Sequence, residues 1–248
     1  MFVPLPLDEA AWKFYSLPMK KTIVFSLGGS IIAPSEVDTS FLGGFIDIVV
    51  NRVTGHNERF IIVTGGGGPA RVYQAAYREV ARKPEDAEQD WIGITATRLN
   101  AQLVRSLFAE YCNDDVVYDP TGDFSFTGSI LVAAGWKPGF SSDYDAVLLA
   151  ERFGADTLVN LSNISRVYSD DPKTNPEARP YDTLTWDEMR SIVGDTWVPG
   201  KNTPFDPIAA RKAADLKLKV VITSGKDLEN LESFLSGKAF EGTIIGPE

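Results

Sequence analysis

Residues 60–71 read FIIVTGGGGPAR, an apolar strand of Phe60, Ile61, Ile62 and Val63 that runs into four consecutive glycines, Gly65 to Gly68. The segment beyond them can carry a helix as far as about Arg82. With no Cβ in the way, the backbone can turn sharply and bring its N–H groups against a ligand, and a helix starting just past the turn adds the positive end of its dipole. Taken alone, the run is either an anion site or a tight strand-to-helix turn without a ligand. A second glycine pair, Gly28 and Gly29, follows another apolar strand through Ile23, Val24 and Phe25. Two such turns side by side at one sheet edge favour the anion site.

Outward from these turns the chain alternates strand and helix. Apolar runs predict strands at 22–27, 59–64, 115–118, 129–133, 157–161, 218–223 and 242–245. Helical periodicity predicts helices at 40–53, 88–111, 144–153, 185–193, 207–214 and 227–235. In the longest of these, Ile92, Ala96, Leu99, Leu103 and Leu107 form the expected buried stripe. Such alternation means an α/β protein, a three-layer αβα sandwich on a mainly parallel sheet. One domain is expected over 19–248, with lobes of about 19–154 and 155–248, after an N-terminal extension of residues 1–18. In such sheets ligands collect at the carboxyl ends of the strands, so the informative loops are 28–30, 65–71, 135–143 and 163–172. No G-x-x-x-x-G-K-[ST] and no G-x-G-x-x-G occurs, so phosphate contacts must come from separated loops.

Composition narrows the function. With 24 Lys+Arg against 34 Asp+Glu in 248 residues, the net charge of -10 argues against a nonspecific nucleic-acid binder. A polyanionic ligand must then be met by a local cluster of donors. One cysteine, Cys112, excludes an intrachain disulfide and a cysteine-rich metal site. The one histidine, His56, lies in an expected turn with no second histidine or cysteine beside it, so no protein-bound transition metal is expected. No run approaches the ~20 apolar residues of a membrane span, and the first eighteen residues lack the pattern of a signal peptide. The expected compartment is the cytoplasm.

Six motifs then occur in order: SLGGS at 26–30, VTGGGGPAR at 63–71, DWIGITATRLNA at 90–101, SSD at 141–143, SNISRVYSDDP at 162–172 and DPIAARKA at 206–213. In sequence and spacing they resemble the amino acid kinase superfamily (the carbamate kinase-like fold), and within it the UMP kinases of bacterial and especially archaeal type. The resemblance covers nearly the whole chain. It implies transfer of the γ-phosphoryl group of ATP, carried with Mg²⁺, to UMP, in a cytoplasmic homohexamer.

Position by position, the resemblance implies that Gly28, Gly29, Gly65, Gly66 and Gly67 hold phosphates and that Arg71 binds the UMP phosphate. Asp90 would accept the ribose hydroxyls, or else serve as a helix-start acid. Gly135, Ser141 and Ser142 belong to the loop that closes on the acceptor phosphate, with Asp143 orienting the catalytic cations. Ser142 and Asp145 alternatively read as an S-x-x-D capping box. Asn163, Tyr168 and Asp171 fall in the ATP segment, Tyr168 beside the adenine or in plain core.

Three departures bear on catalysis. Ser26 stands where many relatives have a lysine, Ile164-Ser165-Arg166-Val167 stands where V-D-G-V is usual, and the second catalytic lysine has an approximate counterpart in Lys201. Arg166 and Lys201 are therefore the expected replacement cations, with pairing of Arg166 to an acid such as Asp170 as its other reading. A nucleotide-binding protein of little turnover is the alternative function that these departures leave open.

Overall fold

The computed structural model describes residues 21–194, 196 and 203–247; the N-terminal extension and Lys201 lie outside the described residues. The chain order is β1 (Thr22–Leu27), α1 (Gly29–Ile32), α2 (Thr39–His56), β2 (Arg59–Thr64), α3 (Gly67–Val80), α4 (Asp86–Leu107), β3 (Ile130–Ala133) and α5 (Ser142–Phe153). It continues with β4 (Thr157–Ser162), β5 (Val167–Tyr168), β6 (Pro180–Tyr181), β7 (Thr183–Thr185), α6 (Trp186–Val193), α7 (Pro207–Asp215), β8 (Lys219–Ser224), α8 (Leu228–Leu235) and β9 (Thr243–Gly246). The strands predicted at 22–27 and 59–64 form over those residues. The one predicted at 115–118 shrinks to a bridge between Val117 and Ala133, and His56 closes α2 instead of lying in a turn.

The main sheet runs β3-β2-β1-β4-β8-β9-β7, parallel except where β9 lies antiparallel to β8. β1 is buried from Ile23 to Leu27 because helices cover both of its faces. Ile23, Phe25 and Leu27 face one layer, where Phe25 meets Phe45 of α2 edge-on at 5.5 Å and α4 adds Val104, with Phe108 at its C-cap. Val24 faces the other layer with Ala146, Val147 and Ala150 of α5 and Ala209, Ala210 and Ala213 of α7. Ser26 is the next residue in register on that second face, so a hydroxyl occupies a core-facing position at the strand's carboxyl end, 3% exposed.

The connections leave β1 toward β2 and β3, then return to place β4 on its other side. The order therefore reverses between β1 and β4, the place where open α/β sheets part their loops and receive ligands.

One expected face is right only in part: Ala96 of its stripe is buried and Leu103 packs on the core. α4 buries Ile94, Ala96, Ala101 and Val104, with Phe108 just beyond its end, while Leu99 is 66% and Leu107 43% exposed. Apolar residues occur on more than one side of this helix, so periodicity alone did not fix which side meets the sheet. α4 also ends at Leu107 rather than 111, and Phe108 caps it.

Candidate functional site

At the carboxyl ends of β1 and β2 the two glycine turns touch through their backbones. A Cβ on Gly29 would come within 2.5 Å of the Gly65 carbonyl carbon and closer still to the Gly67 nitrogen, and a Cβ on Gly65 would lie 2.5 Å from the Gly29 nitrogen. Only glycine permits this approach. The turns are fixed from behind: Gly28 N–H donates to Leu161 O at 2.8 Å, Gly65 N–H to Leu27 O at 2.9 Å, and Asn100 Nδ2 of α4 to Gly65 O at 2.7 Å. α1 starts at Gly29 and α3 at Gly67, and the first amides of a helix have no intrahelical acceptor. Two sets of unused donors thus open from adjacent strand ends.

Beside them, across the gap between β1 and β4, lies a knot of carboxylates. Asp143, in the first turn of α5 and partly buried, accepts from Ser26 Oγ at 2.7 Å and Asn160 Nδ2 at 2.8 Å on Oδ1, and from the Asp206 backbone N–H at 3.3 Å on Oδ2. Ser26 and Asn160 are paired neighbours on β1 and β4. Burial pushes the Asp143 carboxyl up to about 6, with the nearby Asp206 charge adding to it and the hydrogen bonds from Ser26, the Asp206 amide and Asn160 pulling it back. Asp206 caps α7 by accepting from Ala209 N–H at 2.7 Å.

Asp145 is 1% exposed, accepts from Trp136 N–H at 3.1 Å on Oδ2, and has no partner for Oδ1. Burial first, then the charges of Asp143 and Asp119, raise its carboxyl to about 7. Its proton is therefore held more tightly in the folded chain than in the unfolded one, so its penalty is absent below the ordinary carboxylate range and grows as pH rises to about 7. Asp145→Asn is accordingly expected to raise the melting temperature more at pH 8 than at pH 5. The difference corresponds to about 2 to 3 kcal/mol, several degrees for a chain of this size, measured by calorimetry at both pH values.

The loop after β3 closes the front. Gly135 N–H donates to Thr97 Oγ1 at 2.8 Å, Arg98 Nη2 to Trp136 O at 3.2 Å, and Gly139 N–H to Asp90 Oδ2 at 3.0 Å. Asp90 lies in the second turn of α4, which starts at Asp86, and is thus not the helix-start acid of the alternative reading. Ser141, not Ser142, caps α5, accepting from Tyr144 N–H at 3.2 Å, so the S-x-x-D box does not form. Arg71 projects from α3 and donates to Pro34 O at 2.8 Å, leaving an exposed guanidinium beside the glycine turns.

Arg166, the expected replacement cation, pairs through its guanidinium with Asp182, just before β7, and its Nε lies 3.7 Å from Glu241, just before β9. The acid-paired reading was right in kind, with Asp182 and Glu241 in place of Asp170. Tyr168 OH sits 3.5 Å from Ser165 Oγ, and Asn163, before β5, and Asp171, after it, are exposed. The sequence assigns no role of their own to Asn100, Asn160 or Asp206 and gives Asp145 only as part of a cap; for Asn160 the available signal is a polar residue inside an otherwise apolar strand.

Among the described residues no group of three or more His, Cys, Asp or Glu side chains is placed to hold a metal, and no helix is long and apolar enough to cross a membrane. A groove lined by Asp156, Glu188, Lys217 and Lys219 lies at the opposite end of the sheet, remote from these loops.

Residues 21–224 match the amino acid kinase family. A uridylate kinase of Methanospirillum hungatei is 36% identical over 227 residues, covering 90% of this chain and 94% of that protein. The uridylate kinase of Pyrococcus abyssi is 36% identical over 230 residues, covering 91% and 99%. The crystal structure of uridylate kinase from Archaeoglobus fulgidus aligns with a TM-score of 0.76 at 31% identity, over 90% of this chain and 99% of that one.

Proposed function

This chain belongs to the amino acid kinase family, and we propose that within it the protein is a uridylate kinase, transferring the γ-phosphoryl group of ATP to UMP to give ADP and UDP. The observation that carries this reading on the structural side is the contact between the two glycine turns beside Asp143 at the sheet's switch point. A UMP phosphate oxygen attacks the γ-phosphorus as the bond to the β-phosphate oxygen breaks. Such a transfer asks for positioning and charge neutralisation rather than covalent help from the protein.

Amides of Gly29, Gly66 and Gly67 suit phosphate oxygens, while Gly28 and Gly65, whose N–H groups go to Leu161 O and Leu27 O, shape the two turns, and the Arg71 fork suits the acceptor phosphate. Gly135, Ser141 and Ser142 line the acceptor loop. Asn163, Tyr168 and Asp171 are assigned to ATP. Asp143, once ionised, orients the cations; Lys201 remains the protein's candidate cation on sequence grounds. Mg²⁺ enters as part of the ATP substrate and keeps several waters. The proposed compartment is the cytoplasm.

Asp90 uses Oδ2 on Gly139, and its other oxygen is assigned to the ribose hydroxyls. Turnover of dUMP is therefore expected to fall by roughly 5- to 150-fold against UMP, since the missing hydroxyl leaves a carboxylate oxygen unpaired at ~1 to 3 kcal/mol. A coupled ADP-release assay over UMP, dUMP and CMP, with and without Mg²⁺, tests acceptor and metal together. Equal rates with UMP and dUMP would remove Asp90 from the ribose site, and no ADP release with UMP would favour the binding-protein alternative.

Self-association is the second part of the proposal. α3 packs on α4, and this pair exposes Val72, Tyr73, Val80, Trp91 and Leu99, an amount of apolar surface that a second copy would cover, in a homohexamer built from dimers. Leu99→Glu with Tyr73→Lys is expected to shift the protein to monomer in light scattering, whereas an unchanged mass would place the contact elsewhere.

A further inference from the structure

The loop from Gly135 to Phe140 is anchored mainly from α4, through Asp90, Thr97 and Arg98. The bond from Trp136 N–H to Asp145 Oδ2 ties it instead to α5, the helix that carries Asp143. An aromatic ladder follows the same path, Trp136 to Phe140 and Phe140 to Tyr144, each at 5.0 Å between ring centres. The position of the loop relative to Asp143 is thus set two residues away from Asp143 itself.

For packing alone, Asp145 is a poor choice. It is fully enclosed, one oxygen has no partner, and its neighbours Asp143 and Asp119 carry the same charge. An apolar side chain of similar size would be less costly in that place. Departures of this kind concentrate where a site must be held in one geometry.

We propose that Asp145 is a positioning residue for the acceptor nucleotide: through the Trp136 amide it holds the 135–140 loop at the distance from Asp143 that receives the acceptor phosphate. The inference rests on the uridylate kinase reading. It assigns Asp145 no contact with substrate and predicts a defect confined to the acceptor side, because among the described residues the ATP segment of 162–172 forms no hydrogen bond to this loop and is held through its own strand β5, which pairs with β6.

The test is steady-state kinetics of the full chain with ATP and UMP varied independently, for wild type, Asp145→Val and Asp145→Asn. Valine removes the acceptor oxygen and keeps water out; KM for UMP is expected to rise about tenfold, KM for ATP to stay within twofold, and the melting temperature at pH 8 not to fall. Asparagine keeps an acceptor for Trp136 N–H and is expected to keep KM for UMP within twofold of wild type. Should Asp145→Val fail to fold, Asp145→Ala removes the same oxygen without added bulk. An unmoved KM for UMP, or equal rises in both KM values, overturns the inference while wild-type turnover of UMP leaves the function standing. Absence of wild-type turnover with UMP overturns the function and the inference together.

Discussion

Gly29→Ala is expected to lower kcat/KM for UMP by at least ~100-fold, because its methyl group has no room. The added Cβ would lie 2.5 Å from the Gly65 carbonyl carbon and nearer to the Gly67 nitrogen, and both are backbone atoms that cannot swing aside. The Gly65 turn cannot retreat either. Its N–H is bonded to Leu27 O and its carbonyl to Asn100, so separating the two turns breaks the pairs that aim their amides. A displacement of ~1 Å at a phosphoryl-transfer site costs on the order of 10²-fold, and the strain adds a loss of several degrees in melting temperature. Gly43→Ala is the control. Nothing lies within 4 Å of a Cβ there, the residue is inside α2, and alanine should stabilise it by about 0.5 to 1 kcal/mol with turnover intact. Wild-type kinetics and melting in Gly29→Ala would show that the two turns do not meet as described.

Asp143→Asn is expected to reduce kcat by ~10² to 10³-fold with smaller changes in either KM, the range seen when one preorganised electrostatic group is removed from a closed site. Asparagine fits the space and keeps an acceptor for Ser26 Oγ and Asn160 Nδ2, so the loss reports charge rather than shape. The pH profile carries the same information. With its carboxyl raised to about 6, Asp143 is neutral below that value and ionised above it, so wild-type kcat/KM should climb as pH passes about 6. In Asp143→Asn that limb should vanish. Ser26→Lys supplies a second reading: an ammonium in place of the hydroxyl, 2.7 Å from Asp143 Oδ1 at present, favours the ionised carboxylate and should move the limb to lower pH. A limb that survives in Asp143→Asn belongs to another group, and Asp143 would lose its assigned role.

Much of the fold was legible because its determinants are close together in the chain. β1 and β2 are apolar runs ended by glycine, and both form over the predicted residues. Helix starts followed the same logic where a capping side chain lies three residues before the amide it serves, as at Thr185, Asp206 and Asp227. α4 was harder. Its composition offers apolar residues on more than one side, and choosing between Leu99 and Val104 required knowing where the sheet lies.

The amino-acid sequence by itself determined the alternation of strand and helix, the two glycine turns and the order of the six motifs, since each is a property of a few neighbouring residues. Only the tertiary structure decided what the charged groups do. Ser26 and Asp143 are 117 positions apart and meet because β1 and α5 pack together. Arg166, inside the ATP segment in sequence, is drawn to Asp182 and Glu241 because the loops before β7 and β9 bring two carboxylates within reach. The shifts of Asp143 and Asp145 arise from burial, and burial is set by which helices cover a strand end, a long-range outcome that no local pattern encodes.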